Sequence, residues 1–349
     1  MSRVLFDADW IKYGAGFASE DRTIIVTHKN TLEQHIFKNR TEFFGGKSSE
    51  IGGWLGELNE TRLSPYQKDE WMIEDIQTPK PFNTVELIVD TMVSSTLSRL
   101  GCKNYYGYIG KGKCFREDIS TALKYKGNRE DNLKPVHINY IEQYLLKRHH
   151  CKLVTGIEAD DACSIDSYSS FQEWKKTKHE RDRLILVAVD KDAKGTTCHL
   201  FNPDKSKLPQ TIQGYGKLFK NDEGKWDGWG RVWLYYQIIE GDASDNYKPI
   251  YLAKQIVRTD KPIGVAKVVT ALAACTNDKE ALQVVVDTYK QWYPQEFSYV
   301  SWKGDSLTGT WLSMLQEHWT LAHMLRWPDD KVDVADVLTK LGIKGDTNV

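Results

Sequence analysis

Carboxylates in four short groups are the residues of this chain best placed to do chemistry: Asp7 with Asp9, Glu158 with Asp160 and Asp161, Asp190 with Asp192, and Asp242 with Asp245. Asp7 ends the apolar run Arg3-Val4-Leu5-Phe6, and Glu158-Ala159-Asp160-Asp161 comes shortly after Lys152-Leu153-Val154. Asp190-Lys191-Asp192 follows the strongly apolar Leu184 to Val189, and Gly241-Asp242-Ala243-Ser244-Asp245-Asn246 follows the stretch from Trp233 to Ile239. Taken singly, each group has an ordinary explanation, since acids cap helix N-termini and populate the loops after strands. Taken together they are expected to meet, because a parallel α/β sheet puts the carboxyl ends of its strands along one edge. Converging carboxylates repel one another, and burying them is unfavourable without cations. Hard divalent cations with oxygen ligands, Mg²⁺ or Mn²⁺, answer that need.

Charge is the second informative feature. The 349 residues carry a net charge of −1. Between residues 101 and 155, however, eleven Lys and Arg (Lys103, Lys111, Lys113, Arg116, Lys124, Lys126, Arg129, Lys134, Lys147, Arg148, Lys152) stand against five acids, a local excess of +6. A basic run is usually a solvated face. Beside a cluster of acids elsewhere in the chain it carries more weight, because phosphate and metal each need their own countercharge.

The elements that must position these residues follow from periodicity. Arg3–Phe6, Asn104–Ile109, 152–154 and 184–189 read as buried strands. Val85–Leu100, with apolar residues at 85, 88, 89, 92, 93, 97 and 100, reads as a helix, as do the stretch bearing Ile138, Ile141 and Leu145 and the segment from Glu158 to Trp174. Strands alternating with helices predict an α/β fold with a parallel central sheet flanked by helices. From about residue 230 the pattern becomes mainly helical, with helices expected near 232–240, 264–275, 279–292 and 311–325. The expected organisation is an α/β core over 1–229, with a polar, Gly-interrupted insertion at 30–82 and a basic segment at about 110–150, followed by a helical region over 230–349. The last nine residues are expected to fray. The six cysteines lack C-x-x-C spacing and are expected to be reduced, mostly buried thiols, and His149-His150-Cys151 to be a solvated helix end rather than a zinc site. No apolar run approaches the ~20 residues of a membrane span, and Asp7 interrupts any signal-peptide core, so an intracellular, cytoplasmic protein is expected.

At these residues the sequence resembles the 5′-nuclease family, in its flap endonuclease and bacteriophage 5′-exonuclease branch. The segments Val4–Asp7, Tyr125-Lys126-Gly127-Asn128-Arg129, Gly156–Asp161, Val189–Asp192 and Gly241–Asn246 occur in the family's order over roughly 240 residues. The resemblance implies a PIN-like nuclease core, an arch over the site and a helical hairpin that grips duplex DNA. It implies two Mg²⁺ or Mn²⁺ ions, one held by Asp7, Glu158 and Asp160, the other by Asp161, Asp190, Asp192, Asp242 and Asp245. Such a pair, ~4 Å apart, clamps the scissile phosphate and lowers the pKa of a water. Lys126 and Arg129, three apart and hence on one helix face, are expected to meet the developing charge on the phosphate, and Tyr125 to stack on the terminal base. Lys111, Lys113 and Arg116 are expected to bind DNA, and Gly264 and Lys267, in Pro262–Lys267, to do so at the hairpin's helix N-terminus. The implied activity is hydrolysis of DNA near 5′ ends or flaps, or of RNA primers, in phage replication or processing within the host cytoplasm, with no membrane partner.

One position departs from the family pattern. Gly110, in Tyr108-Ile109-Gly110-Lys111, stands where the family carries a metal-binding Asp. Asp9 or water is expected to fill that place, with Mn²⁺ serving better than Mg²⁺ and Gly110→Asp raising activity at low metal concentration. Two other readings stay open: a PIN-type ribonuclease, and a catalytically weak protein that binds DNA ends. Trp226, Trp229 and Trp233 are read as core residues or as a strand-binding surface.

Overall fold

The computed structural model describes residues 2–46, 50–130 and 132–343. Strand β1 (Arg3–Asp7) is buried from Val4 onward. It is followed by β2 (Glu20–His28), β3 (Gln34–Phe37) and β4 (Trp71–Pro79), an antiparallel sheet in the order β3-β2-β4. Then come β5 (Tyr105–Cys114), β6 (Cys151–Gly156), β7 (Leu184–Val187), β8 (Cys198–Phe201) and β9 (Gln210–Ile212). With β1 they make a six-stranded sheet, β6-β5-β1-β7-β8-β9, parallel in every pair except β8–β9. β1 pairs with β5 on one side and β7 on the other, Val4 opposite both Tyr105 and Ile185. Strands covered on both faces have no polar side to present, which is why β1 and β7 are continuous apolar runs rather than alternating ones.

The chain divides into two compact units, Met1–Trp10, Ser95–Leu133 and Leu146–Val349 in one and Ile11–Ser94 with Lys134–Leu145 in the other. In the first unit the helix Ala159–Thr177 packs on β1, β5, β7 and β8. The helices Arg231–Glu240, Val265–Ala274, Asp278–Trp292 and Trp311–Ala322 form the expected helical region. In Asp278–Trp292, Asn277 caps the first turn by accepting from the Glu280 N–H at 3.1 Å. Ala281, Leu282, Val285, Val286 and Tyr289 recur on one face and are fully buried. Each large apolar side chain so buried contributes roughly 1.5–3 kcal/mol.

In the second unit the segment 30–82, expected to be a polar insertion, supplies β3, β4 and the helices Arg40–Phe44 and Gly53–Glu60. Phe37, Phe43, Leu55 and Trp71 make their own buried cluster there with Ile24 and Val26 of β2. The longest of these elements, β4, buries only Trp71, and aromatic rings share the core with Ile24, Val26 and Leu55 rather than forming an aliphatic stripe. All six cysteines are free thiols, five of them buried. His149 is not solvated as expected: it is buried, with its Nδ1 3.0 Å from the Tyr105 hydroxyl, while His150 alone is exposed. Among the described residues no helix is long and apolar enough to cross a membrane.

Candidate metal centre

All four acidic groups lie in the first unit, three of them at the carboxyl edge of the six-stranded sheet. Asp7 is the last residue of β1, and its carboxylate accepts from the Asp9 N–H at 3.1 Å. Asp160 lies in the first turn of the helix after β6 and shares a hydrogen bond with Asp7. Asp190 caps the short turn Lys191–Gly195 after β7, accepting from the Asp192 N–H at 2.9 Å. Burial, with Asp9 and Asp190 nearby, pushes the Asp7 carboxyl up to about 7. Burial and the charges of Asp7, Asp190 and Glu158 push Asp160 well above the carboxylate range. This is the electrostatic signature of a site built for positive charge.

The fourth group arrives from the end of a helix, over the stretch 232–240 where one is expected. The helix Arg231–Glu240 stops at Gly241, whose φ of +75° reverses the chain. A Cβ there would lie 2.4 Å from the Tyr247 carbonyl, so glycine is required both by conformation and by space. Asp242 and Tyr247 then exchange backbone hydrogen bonds of 2.8 and 3.0 Å, closing a loop that points Asp242 and Asp245 at Asp192. The ligand oxygens of Asp192, Asp242 and Asp245 all lie within 4.8 Å of one another. Burial and the neighbouring Asp190, Asp245 and Asp242 raise Asp192 far above its ordinary value. Burial also acts upward on Asp242, but the Ser244 hydroxyl and Lys191 outweigh it and hold this carboxyl low.

Segment 124–129 is bound to that loop residue by residue. Lys126 N donates to the Asp245 carbonyl at 3.0 Å, Asn128 Nδ2 to Ala243 O at 2.6 Å, Arg129 Nε to Ser244 O at 2.7 Å, and Asn246 Nδ2 to Lys124 O at 2.9 Å. Lys126 adopts a left-handed φ of +54° at the start of a single 3₁₀ turn, so it and Arg129 do not share an α-helical face as expected. They still converge: Lys126 Nζ bonds Glu158 and lies 3.6 Å from Asp245 Oδ1, and Arg129 Nη2 is 2.9 Å from the same oxygen.

Three expected roles change. Tyr125 does not offer its ring to a base; it is buried, and its hydroxyl donates to Glu158 at 2.9 Å and Asp245 at 3.0 Å. Arg116 is not on a DNA-binding surface but is fully buried, held there by Asp161 at 2.5 and 2.9 Å, Glu158 at 3.1 Å, and the carbonyls of Leu321 and His323. Asp161 is correspondingly spent on Arg116 and the Leu325 N–H, away from Asp192, Asp242 and Asp245. A buried carboxylate without a cation is too costly to leave, and the guanidinium fork is the partner that fits it. Trp233 is core, donating to the Lys191 carbonyl at 2.9 Å, while Trp226 and Trp229 are half-buried on a hairpin strand. Lys111 and Lys113 are exposed, Lys113 paired with Asp118. Gly264 and Lys267 are exposed at the N-terminus of Val265–Ala274.

One contributor escaped sequence reasoning. Gln237 is buried and donates to Asp192 Oδ1, fixing that carboxylate from the helix behind it. Its only signal is a polar residue on the inward face of an apolar helix. Asp9 accepts from the Gly110 N–H at 3.1 Å, and a Cβ on Gly110 would meet the same Asp9 oxygen at 3.1 Å. An acid at 110 would therefore press on Asp9 rather than add to the site, against the expectation for Gly110→Asp. The outcome expected for Gly110→Asp is weaker Mn²⁺ binding by calorimetry, with recovery when Asp9→Gly is added; a Gly110→Asp single variant that binds Mn²⁺ more tightly overturns this.

No family model and no curated protein matches the chain. Among solved structures it is similar to a bacteriophage T5 protein co-crystallised with metal ions, at 13% identity over 73% of this chain and 90% of that one, with a TM-score of 0.38. It is similar as well to a bacteriophage T5 flap endonuclease in a pseudo-enzyme-product complex with DNA and metal ions, at 13% identity over 75% and 89% with a TM-score of 0.40. A mutant T5 5′-exonuclease matches at 12% identity over 73% and 89%, with a TM-score of 0.36.

Proposed function

We propose that this chain is a divalent-cation-dependent nuclease that hydrolyses DNA phosphodiesters near 5′ ends, as a 5′-3′ exonuclease or flap endonuclease. The observation that carries the reading is the meeting of Asp7, Asp160 and Asp190 with the Asp192, Asp242 and Asp245 cluster at one sheet edge. The choice of DNA with a 5′ end rests on the motif set around Tyr125–Arg129 and Gly241–Asn246. An all-carboxylate donor set suits Mg²⁺ or Mn²⁺. One ion would be held by Asp7, Glu158 and Asp160 with Asp9, the other by Asp190, Asp192, Asp242 and Asp245. Such ions supply a polarised phosphate and an activated water. The chain's own residues do the rest. Lys126 presents its ammonium between Glu158 and Asp245, where charge on the phosphate develops, and Tyr125, Asn128 and Arg129 hold the loop that carries Asp242 and Asp245. Lys111 and Lys113, and Gly264 with Lys267 at the helix N-terminus, bind phosphates further along the duplex.

A 5′-labelled flap, a blunt duplex and a single-stranded RNA, each with Mg²⁺, Mn²⁺ or EDTA, test the reading. DNA cleavage that EDTA abolishes is the expected result. Preferential cleavage of the RNA moves the protein to the ribonucleases, and binding without cleavage in either cation removes the enzyme reading.

Cation binding is expected to depend on pH through Asp7. Its folded-state pKa of about 7 lies above the ordinary 3.8, so its protonated form is favoured in the fold. The stability this contributes is complete below pH ~4 and is lost as pH rises through about 7. A cation binds only the ionised form, so Mn²⁺ affinity should rise from pH 5.5 to 7.5 with proton release, read by calorimetry in two buffers. Asp7→Asn should flatten the dependence; an identical slope in that variant refutes the assignment.

A further inference from the structure

We propose that Lys191 is a phosphate-binding residue parked on Asp242: the divalent cation that takes the Asp242 carboxylate releases the Lys191 ammonium to a phosphate of the nucleic acid. This inference rests on the reading of Asp192, Asp242 and Asp245 as a cation site.

The geometry behind it is specific. Asp242 Oδ1 is occupied by Ser244, which donates its N–H at 2.7 Å and its hydroxyl at 2.6 Å. Oδ2 is the oxygen left for a metal, and Lys191 Nζ sits 3.0 Å from it. The ammonium therefore holds the position that an incoming cation must contest. The two partners differ in their surroundings. The Asp242 side chain is 6% exposed and that of Lys191 43% exposed, so the carboxylate is fixed and the lysine has a solvent-facing path away from it. The buried carboxylate needs a positive partner, and a bound cation would supply one in place of the more exposed ammonium.

The base of the lysine is immobile while its end is free to swing. Its carbonyl accepts from Trp233 Nε1 at 2.9 Å, with Trp233 buried, and Asp190 caps the turn in which it lies. An unbranched four-carbon stem on an anchored backbone moves its charge without moving the acids on either side, Asp190 and Asp192. Arg129 has no such freedom, because its Nε and Nη2 are both committed to the loop, at Ser244 O and Asp245 Oδ1. Lys191 is thus better suited than Arg129 to change partners.

Two measurements on the full chain test the exchange. In calorimetry of metal-stripped protein with Mn²⁺ and no DNA, Lys191→Met should bind cation at the Asp192, Asp242 and Asp245 cluster roughly tenfold more tightly, because a competing positive charge is gone. In equilibrium binding of a phosphorothioate-protected duplex with Ca²⁺, Lys191→Met should lower the log–log salt slope by about 0.9, the loss of one phosphate contact, and Lys191→Arg should keep it. Unchanged or weaker Mn²⁺ binding by Lys191→Met overturns the proposal, and so does an unchanged salt slope. Failure of the underlying reading looks different: wild-type protein would then take up no Mn²⁺ at this cluster, and Asp242→Asn would leave the isotherm as it was.

Discussion

Replacing Asp242 or Asp192 by Asn should lower DNA cleavage by at least ~10³-fold, beyond the ~10²–10³ typical of losing one transition-state donor. Each contributes an oxygen to a cluster in which three carboxylates lie within 4.8 Å. Asn keeps the volume and the hydrogen bonds from Ser244 or Gln237 but removes the charge proposed to hold a cation. DNA binding should survive or strengthen, since a negative charge near phosphate is removed. Single-turnover cleavage of a labelled flap, beside binding by fluorescence anisotropy, separates the two effects. Cleavage by either variant at near wild-type rate would refute the assignment.

The largest effect on stability is expected at Arg116. All five of its N–H donors are used, on Asp161, Glu158 and two carbonyls, and neither it nor Asp161 has side-chain exposure. Arg116→Met strands a buried carboxylate and should cost about 3–5 kcal/mol, read as a lower urea midpoint. Lysine should not restore it, because a point charge cannot span the two oxygens of Asp161 and both carbonyls. Arg116→Met combined with Asp161→Leu should recover much of the loss. If Arg116→Met alone unfolds at the wild-type midpoint, the buried pair is not structural.

The parallel sheet and its acidic edge were legible because long apolar runs ending in Asp are a local signal. β1, β7 and the helices Asp278–Trp292 and Trp311–Ala322 lie where periodicity predicts them. The antiparallel sheet of β2, β3 and β4 was not legible, because polar and charged residues interrupt its strands and hide the few buried positions, such as Ile24, Val26, Phe37 and Trp71. Within the site, residue types identified the acids but not their partners. Arg116 and Lys113 are alike in a sequence, and only the fold buries one against Asp161 and leaves the other in solvent. Tyr125 reads as a stacking ring until its hydroxyl is seen between two carboxylates.

The pairing of segment 124–129 with loop 242–246 has a consequence for synthesis. A nascent chain grown to about residue 212 holds all six strands of the parallel sheet and already carries Asp7, Asp160, Asp190 and Asp192. Its Asn128 and Arg129 have nothing to grip until Ala243, Ser244 and Asp245 emerge. Because chains emerge N-terminus first at ~5–20 residues per second, the sheet has seconds in which to settle before Asp242 and Asp245 arrive. A fragment released early would lack Asp242 and Asp245, which complete the acidic cluster. The division of the cluster between early and late stretches of the chain thus ties completion of the acidic site to completed translation.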